Sequence, residues 1–449
     1  MRLPFQVLTA VLGIGMGIAP TIPARALDPR PEPSPHRQLP TAMHGAMTDR
    51  PRVTVGAPGS GSTLAGSDNV VLQAAVDYIG ALGGGTVDIG AGEFLMRDSL
   101  HLRPGVTVRG QGDATILRKT AAVVSPLVLD GDFGEEQVTV VDPEGFHVGA
   151  GIAVWDKNAG GFHTTVGRIT GRNGNTFSVS RPLMSDCMVD QGAQAATVFP
   201  VISGYEAVGA RIENLTIEGS KSDNIHLNGC RGAGIFLYRS HGVVITGCVV
   251  RRYNGDGISF QQSNDVEVTH CISEENASLG FHPGSGSQRP RVTGNIARRN
   301  GEDGLFLCWR VKDGVFADNR LEGNGRFGIS IGHKDTDNLI RNNQVVANAA
   351  DGIFFRNETE GMAGHRNRIE DNLIENNGVG EPAAGIRIRG ETRDLILRNN
   401  TIRDTRPEGE RTQKTGIRIE EKAGAILTEA NRIEASQPID DRRPKGVQP

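Results

Sequence analysis

Residues 257–309 read GISFQQSNDVEVTHCISEENASLGFHPGSGSQRPRVTGNIARRNGEDGLFLCW, and three glycine-plus-apolar pairs within them, at Gly257, Gly280 and Gly304, each open a short strand-like run. The same pair recurs at Gly234, Gly328, Gly352, Gly385 and Gly416. From Gly234 to Gly352 the steps are 23, 23, 24, 24 and 24 residues, which is the length of one coil of a parallel β-helix. A coil of that size cannot bury its apolar face alone. The spacing therefore predicts an all-β solenoid, a parallel β-helix in which each coil stacks on its neighbours.

A second column keeps the same register. Cys248, Cys271, Asn295, Asn319 and Asn343 step by 23, 24, 24 and 24 residues, and Asn372 and Asn400 continue the column after longer gaps. Asn276, Asn300, Asn324 and Asn348 form another, at 24 residues each. Asparagine tolerates left-handed turn geometry and bonds local backbone groups, so both columns read as turn hardware and not as a site.

The composition agrees: 60 glycines and only 5 % aromatics in 449 residues suit short strands and turns better than long helices. A net charge of -4 without a dominant basic run argues against nucleic acid as a partner. Arg2, the apolar stretch Val7 to Ile18 and the small-x-small Ala24-Arg25-Ala26 predict a signal peptide (1–26) cleaved after Ala26, and so a periplasmic or secreted protein without a membrane anchor. Alternating prolines mark 27–51 as a linker. The five cysteines do not form a disulfide pattern: Cys248 and Cys271 read as stacked core thiols, and Cys187 could meet Cys230 only if the intervening segment folds back.

Apolar residues at Val71, Leu72, Ala75, Val76 and Ile79 predict a short helix over 69–82, ended by Gly83-Gly84-Gly85, that caps the first coils within 52–133. Between 134 and 203 the coil rhythm is lost, and strand-like pieces with Gly-rich turns predict a small β-rich insertion. Coils fill 204–436, and the polar residues 437–449 read as a frayed tail.

Strand alternation sends the first and third residues after each glycine inward and the second and fourth to solvent. The outward set is Phe236 and Tyr238, Ser259 and Gln261, His282 and Gly284, Phe306 and Cys308, Ser330 and Gly332, Phe354 and Arg356. Trp309-Arg310 and His333-Lys334 follow two of the strands, and Asp256, Asp303 and Asp351 precede three of the glycines. Coils stack ~4.8 Å apart, which gathers imidazole, carboxylate and cationic groups on one face. The candidate catalytic residues are His282, Asp303, Asp256, His333 and Lys334; the candidate substrate-binding residues are Arg310, Trp309, Asp351, Arg356, Gln261 and Tyr238. An aspartate at a coil corner is also a common turn residue.

The runs LQAAVDYIGALGGGTVDIGAGEF (72–94) and LHLRPGVTVRGQGDATIL (100–117) resemble the N-terminal cap of the pectate-lyase-like superfamily, and ARRNGEDGLFLCWRVKDGVFADNRLEGNGRFGISIGHKDTDNLIRNN (297–343) is similar to the catalytic module of mannuronan C-5-epimerases and alginate lyases. The resemblance implies a right-handed winding and a sugar-binding groove. The Tyr-Gly-Phe-Asp-Pro-His stretch of those enzymes has its nearest match by letters at Leu279-Gly280-Phe281-His282-Pro283-Gly284, and by coil count at Asp256 to Gln261. Either register lacks the epimerase constellation. Asn254-Gly255-Asp256 resembles the first element of the polygalacturonase site, whose second element has Leu279 in its place.

These residues favour an exported enzyme acting on an anionic polysaccharide by β-elimination. Arg310, Lys334 or Arg356 would neutralise a uronate and His282 or His333 would take the C-5 proton. Calcium held by Asp256 or Asp303 could replace the arginine. The alternatives are a glycoside hydrolase pairing Asp256 with Asp303, or Asp303 with Asp351, and a non-catalytic carbohydrate-binding solenoid.

Overall fold

The computed structural model describes residues 47–379 and 381–444. The chain divides into two units, Met1–Asp49 and Arg50–Pro449, and the second builds the β-helix. The expected signal peptide and most of the linker lie outside the described residues.

Eleven parallel strands, one per coil, build the face that carries the site. They run from Leu100–His101 and Ile202–Tyr205 through Ala233–Tyr238, Asp256–Gln261, Phe281–Gly284, Leu305–Phe306, Ile329–Ile331 and Ile353–Phe355 to Ala384–Ile388, Thr415–Ile419 and Gln437–Asp441. The remainder of a coil adds short strands such as Arg291–Thr293 and Ile296–Arg298, which belong to a second, larger sheet. Ile235, Ile258, Phe281, Leu305, Ile329, Ile353, Ile386 and Ile417 stand directly above one another. All are buried in one continuous core. Burying each stabilises the stack by about 2 kcal/mol relative to exposure.

The glycine and asparagine columns turn out to be two halves of one device. A Cβ added at Gly257, Gly280, Gly304 or Gly328 would lie 2.7–2.9 Å from the side-chain nitrogen of Asn276, Asn300, Asn324 or Asn348 respectively. The glycine is required because the ladder amide, the carbonyl of the next glycine in the column and core side chains such as Val345 together occupy the space. In the neighbouring ladder, Asn319 Oδ1 accepts from both the backbone N–H and Nδ2 of Asn295 at 3.0 Å, while Asn319 Nδ2 donates to Val292 O and Asn343 Oδ1. Asn343, Asn372, Asn400 and Asn431 repeat the pattern. Cys248 and Cys271 are buried thiols at its head, and none of the five cysteines forms a disulfide.

The helix Asn69–Ala81 buries Leu72, Ala75, Val76 and Ile79 and starts at Asp68, whose carboxylate accepts the N–H groups of Val70 and Val71. Burial of that face closes the end of the apolar stack. The insertion is a six-stranded sheet with its own core around Phe146, Ile152 and Phe177. It begins earlier than the sequence suggests, since Val124–Pro126 pairs with Gln194–Ala196, and it ends before Ser203, which belongs to a coil strand. The expected frayed tail is likewise corrected: Gln437–Asp441 adds a last rung on Thr415–Ile419.

One expectation fails on the site face. Phe236, Ser259, Gln261, His282, Ser330 and Phe354, read as solvent-facing, are all buried. Alternation holds, but segment 219–232 is laid across the lower coils: Ser259 Oγ donates to Gly229 O, and Asn254 Nδ2 to Ile225 O. Phe354 is covered by Phe327, stacked at 4.0 Å.

Substituting Asn319→Ala removes four buried side-chain hydrogen bonds, among them the one that satisfies the Asn295 backbone N–H. Chemical denaturation is expected to show a loss of about 3 kcal/mol; a loss under about 0.5 kcal/mol would mean that the ladder carries no stability.

Candidate active site

The three corner aspartates share one structural task. Oδ1 of Asp256, Asp303 and Asp351 accepts the backbone N–H at the matching corner of the next coil, from Leu279, Phe327 and Ala384 at 3.2, 3.1 and 2.7 Å. What differs is the cation each carboxylate meets. Asp303 takes Arg326 through two bonds of 2.8 and 3.0 Å, and Asp351 faces Arg387 at 3.9 Å. Asp256 instead holds His282 Nδ1 at 2.7 Å. Each carboxylate is committed to a backbone group and a cation, so the expected pairs of free acid and base among these three are absent.

His282 is 3 % exposed, and its Nε2 has no hydrogen-bond partner. The Cys308 thiol borders the same cleft, and Phe306 meets the His282 ring edge-on at 5.3 Å. Burial is the largest influence and favours the neutral ring, but the Asp256 bond and the Cys308 thiol outweigh it and lift the imidazole to about 10. The surroundings of His282 therefore favour its imidazolium form, the opposite of what a base requires. The Cys308 thiol is itself pushed up by burial, with His282 pulling the other way.

The lip of the site is a strained turn used twice. Trp309 and Arg310 have φ of 62° and 67°, and His333 and Lys334 one coil on have φ of 50° and 68°. Consecutive bulky residues in left-handed geometry cost of order 1–3 kcal/mol each and persist only where the surroundings hold them. Here a ladder bond from Arg310 N to His333 O does so. The result is Trp309 stacked on His333, ring centres 5.2 Å apart and planes 16° apart. His333 Nδ1 lies 2.8 Å from Glu358. Burial, then the Arg356 charge, nevertheless push its imidazole below the usual value, with Glu358 only partly opposing.

Asp256, His282, Trp309 and His333 come together in a cleft of about 360 Å³, with Glu302, Arg326, Cys308, Cys230 and His226 in its walls. Glu302 was not singled out by sequence; burial, with the nearby Asp303 and Asp256 charges, raises its carboxyl while Arg326 pulls it down. Asp303 sits behind the wall, holding Arg326. Arg356 is no free cation: it is buried against Asp335, Leu307 O and Ser330. Arg310 and Lys334 are exposed outside the cleft lining, and Asp351 and Gln261 are buried away from it. Tyr238 packs against Tyr205 with the ring planes tilted by 45°, away from this cleft.

Residues 213–405 match the family model described as "Periplasmic copper-binding protein (NosD)". Among solved structures, the A-modules of two Azotobacter vinelandii mannuronan C-5 epimerases, AlgE6 and AlgE4, align with TM-scores of 0.55 and 0.52 at 15 % identity, covering 85 % and 84 % of this chain and 93 % and 96 % of theirs. The Dettilon tailspike protein aligns at 0.52 and 15 % identity over 88 % of this chain and 64 % of its own. No curated protein sequence matches the chain. At such identity the likeness to these solved structures is one of fold.

The family description implies copper, and the sequence allowed calcium. Among the described residues no three His, Cys, Asp or Glu side chains are arranged to hold a metal ion. Asp256 and His282 Nδ1 are spent on each other, and Asp303 on Arg326. These three side chains, the donors that the sequence offered, are thus already partnered within the protein.

The His282–Asp256 pair makes stability pH-dependent. The folded value of about 10 lies above the ordinary 6.5, so the pair's contribution is full below pH 6.5 and is lost as pH rises toward 10. The melting temperature is expected to fall across that window in the native protein and to fall less in His282→Gln; parallel curves for the two would contradict the assignment.

Proposed function

We propose that this β-helix is an exported lyase that cleaves a uronate-containing polysaccharide by β-elimination in the His282 cleft. The observation that carries the reading is a pair of histidines in one cleft whose surroundings push their protonation in opposite directions, the usual mark of divided acid and base roles. His282, biased toward the charged form in the wall of the cleft, would attract the uronate carboxylate toward that wall, beside Arg326. His333, biased toward the neutral form and with Nδ1 turned to Glu358, keeps Nε2 to take the C-5 proton. Glu302, biased toward its protonated form, is placed to give a proton to the leaving oxygen as the bond at C-4 breaks and the C-4–C-5 double bond forms. The two histidines stand two coils apart, ~9.6 Å along the axis, which spans a sugar ring.

Trp309 supplies an apolar platform of the kind that seats a sugar face, and its αL backbone is the strain held for that purpose. The names of the epimerases sharing the fold refer to mannuronan, a polymer of this class, which supports the substrate class but not the reaction. The apolar N-terminal stretch and Ala24-Arg25-Ala26 support export.

Incubation with a panel of uronate polymers is expected to give an unsaturated product absorbing in the ultraviolet. His333→Ala should lower kcat about 100- to 10,000-fold, and Trp309→Ala should chiefly raise KM. Activity should decline at low pH as His333 protonates and at high pH as His282 loses its proton. Reducing ends without ultraviolet absorbance would make the protein a hydrolase, and no product from any polymer would leave a binding solenoid.

A further inference from the structure

A second cluster of reactive groups lies where the insertion meets the first coils. Ser203 Oγ is 2.9 Å from His101 Nδ1, and His101 Nε2 is 2.9 Å from Asp98 Oδ2. The same Asp98 oxygen accepts from Arg168 Nε, which reaches across from the insertion. Asp98 is 1 % exposed and bonded to a guanidinium, so it is a carboxylate and can only accept. His101 Nε2 must then carry the proton, which leaves Nδ1 as the acceptor of the Ser203 hydroxyl. Nucleophile, base and orienting carboxylate stand in hydrogen-bond sequence, with the two ring nitrogens exchanging their more usual roles.

The cleft beside them, about 270 Å³, is bordered by Ser203 and His101 and also lined by Arg181 and Tyr205. Arg181 lies 3.5 Å over the Tyr205 ring and makes no ion pair among the described residues. Tyr205 continues into an aromatic row with Phe236 and Tyr238, at 5.9 and 5.6 Å. A nucleophile bordering the cleft at 2 % exposure, an arginine without an ion pair in the lining and the half-buried rings of Tyr205 and Tyr238 leading away form a coherent site for an acyl group carried on a sugar.

We propose that Ser203, His101 and Asp98 form an esterase site that removes short acyl groups from the hydroxyls of a polysaccharide. Ser203 Oγ attacks the ester carbonyl carbon while its proton passes to His101 Nδ1, and the oxyanion that forms faces Arg181. The carbon–oxygen bond to the sugar breaks, and the leaving sugar oxygen takes the proton from His101. Water, deprotonated by the same nitrogen, then releases the acid from the acyl-serine and restores the hydroxyl. Asp98 is a positioning residue acting through His101. Ser203 lies three coils from His282 on one face, ~14 Å along the axis, but the esterase proposal does not depend on the lyase reading.

The test uses the full chain with p-nitrophenyl acetate and with a fluorophosphonate probe. A probe adduct on Ser203 in the folded native protein is expected, together with a loss of at least about 1,000-fold in p-nitrophenolate release in Ser203→Ala. Asp98→Asn should lower kcat with KM little changed. Because the adduct needs no variant, a misfolded mutant cannot hide the answer. Ser203 left unlabelled in the folded protein, or equal ester hydrolysis by the native protein and a folded Ser203→Ala variant, would reduce the three residues to a tie between adjacent coils and overturn the proposal.

Discussion

The buried amide of each ladder asparagine gives its hydrogens to the coil below and the asparagine above, and takes two more in return. An unpaired amide in that position costs about 1–3 kcal/mol per group, so the coils are locked in a single vertical register. The glycine column follows from the same bonds, because a side chain there would strike the ladder nitrogen. Core, corner and outer columns are consequences of that register. Residues two dozen apart in sequence become neighbours along the axis, and chemistry can be assembled by changing one rung at a time.

The candidate active site shows how this happens. A corner aspartate that clamps the next coil recurs at Asp256, Asp303 and Asp351. At one rung its cationic partner is a histidine instead of an arginine, and at that rung the structural clamp becomes a charged imidazole facing a cleft. The segment 219–232 then withdraws the face from water, which strengthens every charge interaction left inside. Gly229 permits the close cover: a Cβ there would collide with the Asp256 carboxylate.

The sequence made the solenoid legible because its spacing repeats at every rung, and the helix at 69–81 because its apolar period is helical. It placed His282, Asp256, Trp309 and His333 on one face, and they do share a cleft. It could not show the cover, since segment 219–232 belongs to no repeat, and so it misread buried outward columns as exposed. Arg356 looked like a substrate cation until Asp335, 21 residues away, proved to hold it. Glu302 and Arg326 share a column with Ser278 and Ala350 whose residue type changes at every rung, so no repeated letter marked it. The Ser203–His101–Asp98 network was invisible for a different reason: Ser203 pairs with His101 between adjacent coil strands across a sequence gap that the insertion lengthens beyond any repeat.

The two clefts lie on one parallel sheet, so a single extended polymer could cross both, presenting a uronate to one and an acyl ester to the other. The most direct measurement of the central claim is a crystal structure with a bound oligouronate. The account predicts a sugar ring against Trp309 with its carboxylate turned toward the His282 and Arg326 wall of the cleft; an oligosaccharide bound elsewhere on the cylinder, with the His282 cleft empty, would contradict it.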